Sequence, residues 1–159
     1  MSTPRRSPIA TTILRLSVIL VTASALSGCF LWSPFTGASR SDRECLMRAM
    51  YFESHRSSED GMLAVGTVVM NRLADKRYPK SICGVVGQPN QFAPGVLSKK
   101  MTEPRSVALA GRVADRLLGG QRHWGVREAM HFHQAGLRFP YNNMHYVLEA
   151  GGNEFYEKR

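Results

Sequence analysis

The apolar residues of this chain change their period once, and that change constrains the fold more than any other feature. From residue 41 to about 118 they recur at spacings of three and four, whereas after about residue 128 they fall into short runs that alternate with polar residues. Helical and strand segments are therefore segregated along the chain. That order disfavours the interleaved pattern of a parallel sheet and predicts an α+β domain, helices followed by a small antiparallel sheet.

Within the helical stretch, Ser41-Asp42-Arg43-Glu44 reads as a capping box that opens a first helix. Cys45, Ala49 and Phe52, with Leu46, Met50 and Glu53, line its apolar side and leave a carboxylate at its C-terminal end. Ser57 and Ser58 before Glu59-Asp60 predict a second helix reaching about Lys76. Its apolar surface of Met62, Val65, Val69 and Leu73 carries small residues at Ala64 and Gly66, as expected of a central helix that others approach closely. Pro79 stops any continuation, residues 81–86 suggest a turn or two of helix, and Gly87-Gln88-Pro89-Asn90 forms a loop leading to Gln91-Phe92. A third long helix is predicted over 104–118, with Pro104 in its first turn and Gly119-Gly120 as its stop. Residues 130–133, 144–149 and the Phe155-Tyr156 pair after a Gly151-Gly152 turn read as strands.

Ahead of this domain, Arg5, Arg6 and Arg15 flank a mostly apolar run over residues 16–26 that ends in Leu26-Ser27-Gly28-Cys29. That tetrapeptide resembles the lipobox of bacterial lipoproteins, which implies cleavage before Cys29 and lipid on its thiol. The apolar run is shorter than the roughly 20 residues of a bilayer span. The expected organisation is a signal peptide over 1–28, a lipidated Cys29 with a Pro/Gly/Ser-containing tether over 29–40, and one catalytic-sized domain over 41–159. Phe30 after the cysteine resembles the pattern of lipoproteins sent to the outer membrane, so the expected location is the periplasmic face of that membrane. Removing three arginines with the leader lowers the formal charge from +9 to +6, a basic balance suited to a wall polyanion or anionic lipid. Nucleic acid is disfavoured, because no Lys/Arg cluster is interleaved with aromatics. Cys45 and Cys83 form the remaining pair, and in an oxidising compartment they are expected to be bonded to each other, two buried thiols being the alternative.

The chain has no phosphate-binding Gly-Lys-Ser/Thr loop, no Gly-x-Ser-x-Gly elbow and no His-Glu-x-x-His helix. Glu53 is the leading candidate for chemistry. Partial burial at the end of an apolar face would raise its pKa and make it a proton donor near neutrality; a surface glutamate paired with His55 or Arg56 is the alternative. His131 and His133 share one side of a strand and could supply two metal ligands, with His145, His123, Glu149 or Asp60 as third, though a hydrogen-bonded strand face is commoner. Asn71 is expected to hold a loop through its amide, and Gln91-Phe92 to offer an amide and a ring to a sugar.

These residues also carry a resemblance. Cys45-Leu46, Tyr51-Phe52-Glu53, residues 61–65, Val68-Val69-Met70-Asn71-Arg72, residues 78–86, Gln91-Phe92, His131-Phe132-His133, and Gly151-Gly152 with Phe155-Tyr156 resemble the cell wall hydrolase family of spore-cortex-lytic enzymes and their non-spore relatives. The resemblance implies a lysozyme/lytic-transglycosylase-like fold, peptidoglycan glycan strands as partner, and one essential glutamate that falls on Glu53. It places Asn71, Gln91 and His131 at positions that line or support the cleft; Phe92, beside Gln91, is a further candidate for substrate binding, and no cofactor or metal is expected. Two departures stand out: Ser57 replaces a second glutamate frequent in the family, and Asn153 replaces a histidine between the double glycine and the Phe-Tyr pair. With one acid the expected activity is lytic transglycosylation of the MurNAc-GlcNAc β-1,4 bond. The alternatives are a zinc-dependent N-acetylmuramoyl-L-alanine amidase and a catalytically inactive, lipid-anchored wall-binding protein.

Overall fold

A computed structural model describes residues 40–56 and 58–159; Cys29, the tether residues before 40, and Ser57 lie outside the described residues. The elements are α1 (Arg40–Glu53), α2 (Glu59–Ala74), α3 (Ile82–Val86), α4 (Pro104–Leu118), a 3-10 turn (Trp124–Val126), and strands β1 (His131–Gln134), β2 (Met144–Ala150) and β3 (Asn153–Lys158). The strands form an antiparallel sheet in the order β1-β3-β2. The α+β architecture is the one the change of period predicts.

α1, α2 and α4 pack against one another, and the reason lies in their apolar faces. Leu46, Ala49 and Met50 of α1, Val65, Val68 and Val69 of α2, and Ala110, Val113, Ala114 and Leu117 of α4 are completely buried together. Gly66 is what lets them close: a Cβ there would overlap the Leu117 side chain and press on the Met50 sulfur. The close approach expected of α2 is thus made by this glycine. A disulfide between Cys45 and Cys83 ties α1 to α3.

The helix ends differ in detail from expectation. α1 begins at Arg40, one residue ahead of the expected start, and the Glu44 carboxylate accepts from Arg48 at 2.8 and 3.0 Å. Ser58 is the N-cap of α2, its hydroxyl accepting from the Gly61 N–H at 3.0 Å. α2 stops at Ala74, short of Lys76, because Asp75 leaves the helical conformation and its carboxylate takes both the backbone N–H and the guanidinium of Arg77. Among the described residues no helix is long and apolar enough to cross a membrane.

The sheet meets the helices at its hairpin turn. Gly151 and Gly152 both hold positive φ, 58° and 81°, the two-residue turn that glycine adopts without steric cost. Their lack of side chains is used twice. Gly151 lies against Gly61 at the start of α2 so closely that a Cβ on either would overlap the other's backbone, and a Cβ on Gly152 would strike the His55 ring. This contact brings the end of β2 and the start of β3 onto the segment that follows Glu53.

Candidate active site

Glu53 is the last residue of α1, and the orientation of its side chain follows from how that helix ends. Ser54 closes the turn, its N–H and hydroxyl both directed at the Met50 carbonyl (3.2 and 2.7 Å). The sheet then satisfies the freed groups: the Asn153 amide donates to the Glu53 backbone carbonyl, and the His55 N–H donates to the Gly151 carbonyl at 3.0 Å. Asn153, buried at the first position of β3, therefore fixes the backbone that carries the carboxyl. The sequence marks Asn153 only as a departure from a family pattern; its task depends on a contact across a hundred residues.

The carboxyl of Glu53 is half-buried and accepts from the Ala93 N–H. It lines a cleft of about 510 Å³ bounded by the end of α1, residues 90–92, β1 and the hairpin turn. Burial raises its pKa above the ordinary glutamate value, against the opposing pull of the Ala93 N–H and the Arg72 guanidinium. The alternative pairing with His55 or Arg56 is not made: Arg56 engages Glu103 and lies over the Tyr51 ring, while His55 packs on Gly152. Among the described residues Glu53 is the one carboxylate lining this cleft. Glu59 and Asp60, the acids nearest Ser57, are engaged elsewhere, Glu59 with Arg116 and Asp60 with His123 at 2.9 Å.

Arg72 is the residue that sequence reasoning missed. It occupies a core position of α2, one turn beyond Val68 and Val69, and is only 3% exposed. Its Nε donates to the Met130 carbonyl at 2.8 Å, and its guanidinium lies 5.3 Å over Phe92 and 5.6 Å over Tyr78. Its Nη1 is buried without a hydrogen-bond partner among the described residues. A buried cation near a half-buried carboxyl favours the ionised form of that carboxyl, so Glu53 lies between two opposed influences. The signal available in the sequence was an arginine interrupting an apolar helical row.

The other expected residues separate into three places. Gln91 and Phe92 line the cleft with Glu53, and Phe92 packs 6.2 Å from Phe132 of β1. Asn71 holds a loop as expected, donating to the Arg127 and Ala129 carbonyls at 2.9 and 3.0 Å and so anchoring the approach to β1. His131 lines a different, smaller polar hollow with Arg77 and Lys158, and its ring stacks 5.3 Å from Tyr156. Burial, helped by Lys158, Arg72 and Arg77, lowers its pKa to about 4. His133, two residues on, is the strand histidine that lines the cleft. Its Nδ1 meets the Gln134 carbonyl at 2.8 Å and its Nε2 the Tyr146 hydroxyl at 2.9 Å. Among the described residues no three metal-binding side chains converge; the proposed partners His123 and Asp60 bind each other instead.

Helices packed beside a small antiparallel sheet, with a carboxyl at a helix end lining the cleft between them, make up the α+β arrangement of this chain. Two solved structures share it. The catalytic domain of the Bacillus cereus SleB protein superposes with a TM-score of 0.60 at 21% identity, covering 76% of this chain and 93% of that one. The catalytic domain of the germination-specific lytic transglycosylase SleB from Bacillus anthracis gives 0.59 at 21% identity, over 76% and 98%. The family model described as Cell Wall Hydrolase matches residues 56–156, and the chain belongs to that family. Spore cortex-lytic enzymes of Oceanobacillus iheyensis and Bacillus subtilis are each 29% identical over 72 residues, 45% of this chain and 26% and 24% of theirs. The chain thus aligns with about a quarter of the length of these relatives. The family match begins at residue 56, downstream of Glu53.

Proposed function

We propose that this protein cleaves the β-1,4 bond between N-acetylmuramic acid and N-acetylglucosamine in peptidoglycan as a lytic transglycosylase, with Glu53 as general acid and then general base. The observation that carries this reading is the half-buried Glu53 carboxyl, the one acid among the described residues lining a cleft large enough for sugar rings. Its burial favours the protonated form, the one that can donate to the glycosidic oxygen. As the C–O bond breaks, the Ala93 N–H and Arg72 favour the carboxylate left behind. That carboxylate takes the proton of the muramoyl C6 hydroxyl while O6 closes on C1, forming a 1,6-anhydro end and restoring the acid. One group suffices because the nucleophile belongs to the substrate, whereas hydrolysis would call for a second group to place water. Gln91, Phe92 and His133 stand where they would position the sugars. The family membership and the names of the matched relatives support peptidoglycan as the substrate class.

Mass analysis of the products released from purified sacculi tests this directly. Anhydromuropeptides are expected. Reducing ends in their place would make the enzyme a hydrolase, free stem peptides would make it an amidase, and no release at all would favour a wall-binding protein.

The same proposal includes export as a lipoprotein, with lipid on Cys29 holding the domain at the periplasmic face of the outer membrane. It is supported by the Leu26-Ser27-Gly28-Cys29 tetrapeptide after a basic and apolar leader. Cys29→Ala should lose labelled fatty acid and leave the membrane fraction; retention of the label would refute it.

A further inference from the structure

The 137–146 segment shows its aromatic residues to solvent. Phe139 is 42%, Tyr141 66% and Tyr146 48% exposed, and Leu137 between them and β1 is also open. Single exposed apolar residues are ordinary, but a cluster within ten residues marks a binding surface. The rings of Phe139 and Tyr141 are nearly parallel, 11° apart, with centroids 6.3 Å from each other. That separation is too wide for a face-to-face stack, so the rings are offset and leave ring surface uncovered. Pro140 between them restricts the backbone that sets this spacing.

This floor is held in place by the cleft itself. The His133 ring meets Phe139 edge-on at 4.8 Å and binds the Tyr146 hydroxyl, so one residue belongs to both regions. Beside it lies a hollow of about 300 Å³ whose walls include His133, Phe139, Tyr141, Asn143, Tyr156 and Lys158. The mixture is specific in its chemistry: apolar ring faces together with an amide, phenol hydroxyls and an ammonium. A pyranose ring presents the complement. Its C–H face is apolar and slightly positive, suited to the negative face of an aromatic ring, and its hydroxyl and acetamido groups project from the edge.

We propose that Phe139, Tyr141 and Tyr146 form a second saccharide-binding surface that takes sugar rings of the same glycan strand beyond those bound at Glu53. The inference rests on the glycan reading of the cleft. Its additional support is continuity: a polymer too long for the cleft must leave over an adjoining surface, and through His133 this one adjoins it. The platform then selects for strand length and contributes nothing to bond breaking.

The test uses the full chain and three substrates, peptide-free glycan strands, peptide-bearing strands and the shortest N-acetylglucosamine-containing muropeptide that the wild-type protein cleaves. In Tyr141→Ala, and in Phe139→Ala/Tyr141→Ala, KM for long strands should rise roughly tenfold, on the scale of losing one or two aromatic contacts. kcat for strands and kcat/KM for the shortest fragment should stay at wild-type values. Tyr141→Phe keeps the ring and should restore most strand binding; because Tyr141 is largely exposed, its single substitution serves even if the double variant folds poorly. Unchanged KM for strands in folded Tyr141→Ala protein overturns the platform while leaving the reading of Glu53 intact. A rise confined to peptide-bearing strands also overturns it, since the surface would then read the stem peptide. Failure of the wild-type protein to bind or cleave any glycan removes both.

Discussion

The two walls of the cleft are built in opposite ways. The helical wall is made of residues with almost no exposure, Leu46, Met50, Val65, Val69, Val113 and Leu117 among them, and it delivers one side chain, Glu53, from the end of a tightly packed helix. The sheet wall buries little besides Phe155, Ala150 and Asn153 and keeps its other face for rings that remain partly open, His131, His133, Tyr146 and Tyr156. On the proposed function, dense packing suits a wall that holds a proton-transfer group in one place, since misplacement of a reacting group is costly. An open aromatic face suits recognition, where contact area matters more than exact position. Asn153 and the Gly151-Gly152 turn join the two, because they fasten the sheet to the backbone around Glu53.

The comparison breaks most sharply at Glu53. Glu53→Gln preserves size and can still accept from the Ala93 N–H, but it cannot give up and retake a proton. Release of anhydromuropeptides from sacculi should fall by roughly 10²- to 10⁴-fold while binding to sacculi persists. Equal release by folded wild-type and variant proteins would take catalysis away from the helical wall. Substitution of Gln91 should cost less, since it leaves the proton donor in place.

The next effect is on the stability of the helical wall. The Cys45–Cys83 bond closes a loop of 38 residues, and in the chain-entropy model its removal costs about 4 kcal/mol. Cys45→Ala/Cys83→Ala should therefore lower the midpoint of denaturant unfolding with the α1–α3 junction loosening first, as read by hydrogen exchange. Midpoints that match within error would show that packing around Gly66 alone holds this wall.

The smallest effect sharpens the contrast through pH. Glu53 has a raised folded-state pKa, so its contribution to stability is fully present below its unfolded value near 4.5 and is lost as pH rises through the folded value. Glu53→Gln should accordingly stabilise the protein at neutral pH, and the gain should vanish below that range. His131 on the sheet has the reverse sign. Its pKa falls from 6.5 to about 4, so it favours folding above the unfolded value and loses that contribution as pH drops through the folded one. His131→Gln should flatten the acid limb of a stability profile between those values. Parallel profiles for the two variants would contradict the assignment of opposite environments.

Much of the helical wall was legible in advance because it depends on local rules. A 3.6-residue period, a proline in a first turn and a double glycine after the last turn are properties of neighbouring residues, and they located α4 to the residue. The placement of Glu53 at the end of an apolar helical face is local in the same sense. Ser58 as cap and the early stop of α2 at Asp75 were less legible, since adjacent serines and a competing Asp75–Arg77 interaction differ by small local preferences.

What the sequence determined by itself was the α+β order, the helix faces and the place of Glu53 at the end of the first helix, because each is set within a few turns of chain. Only the tertiary structure decided that His133 rather than His131 lines the cleft, that Asn153 holds the Glu53 backbone, and that Arg72 is buried near the carboxyl. Two histidines on one strand face are equivalent by period. They become different only in the folded chain, where one lines the same cleft as Glu53 and the other a hollow with Arg77 and Lys158. Burial and electrostatic neighbourhood are properties of that folded arrangement, so the charge state of each group follows from contacts between residues distant in the chain.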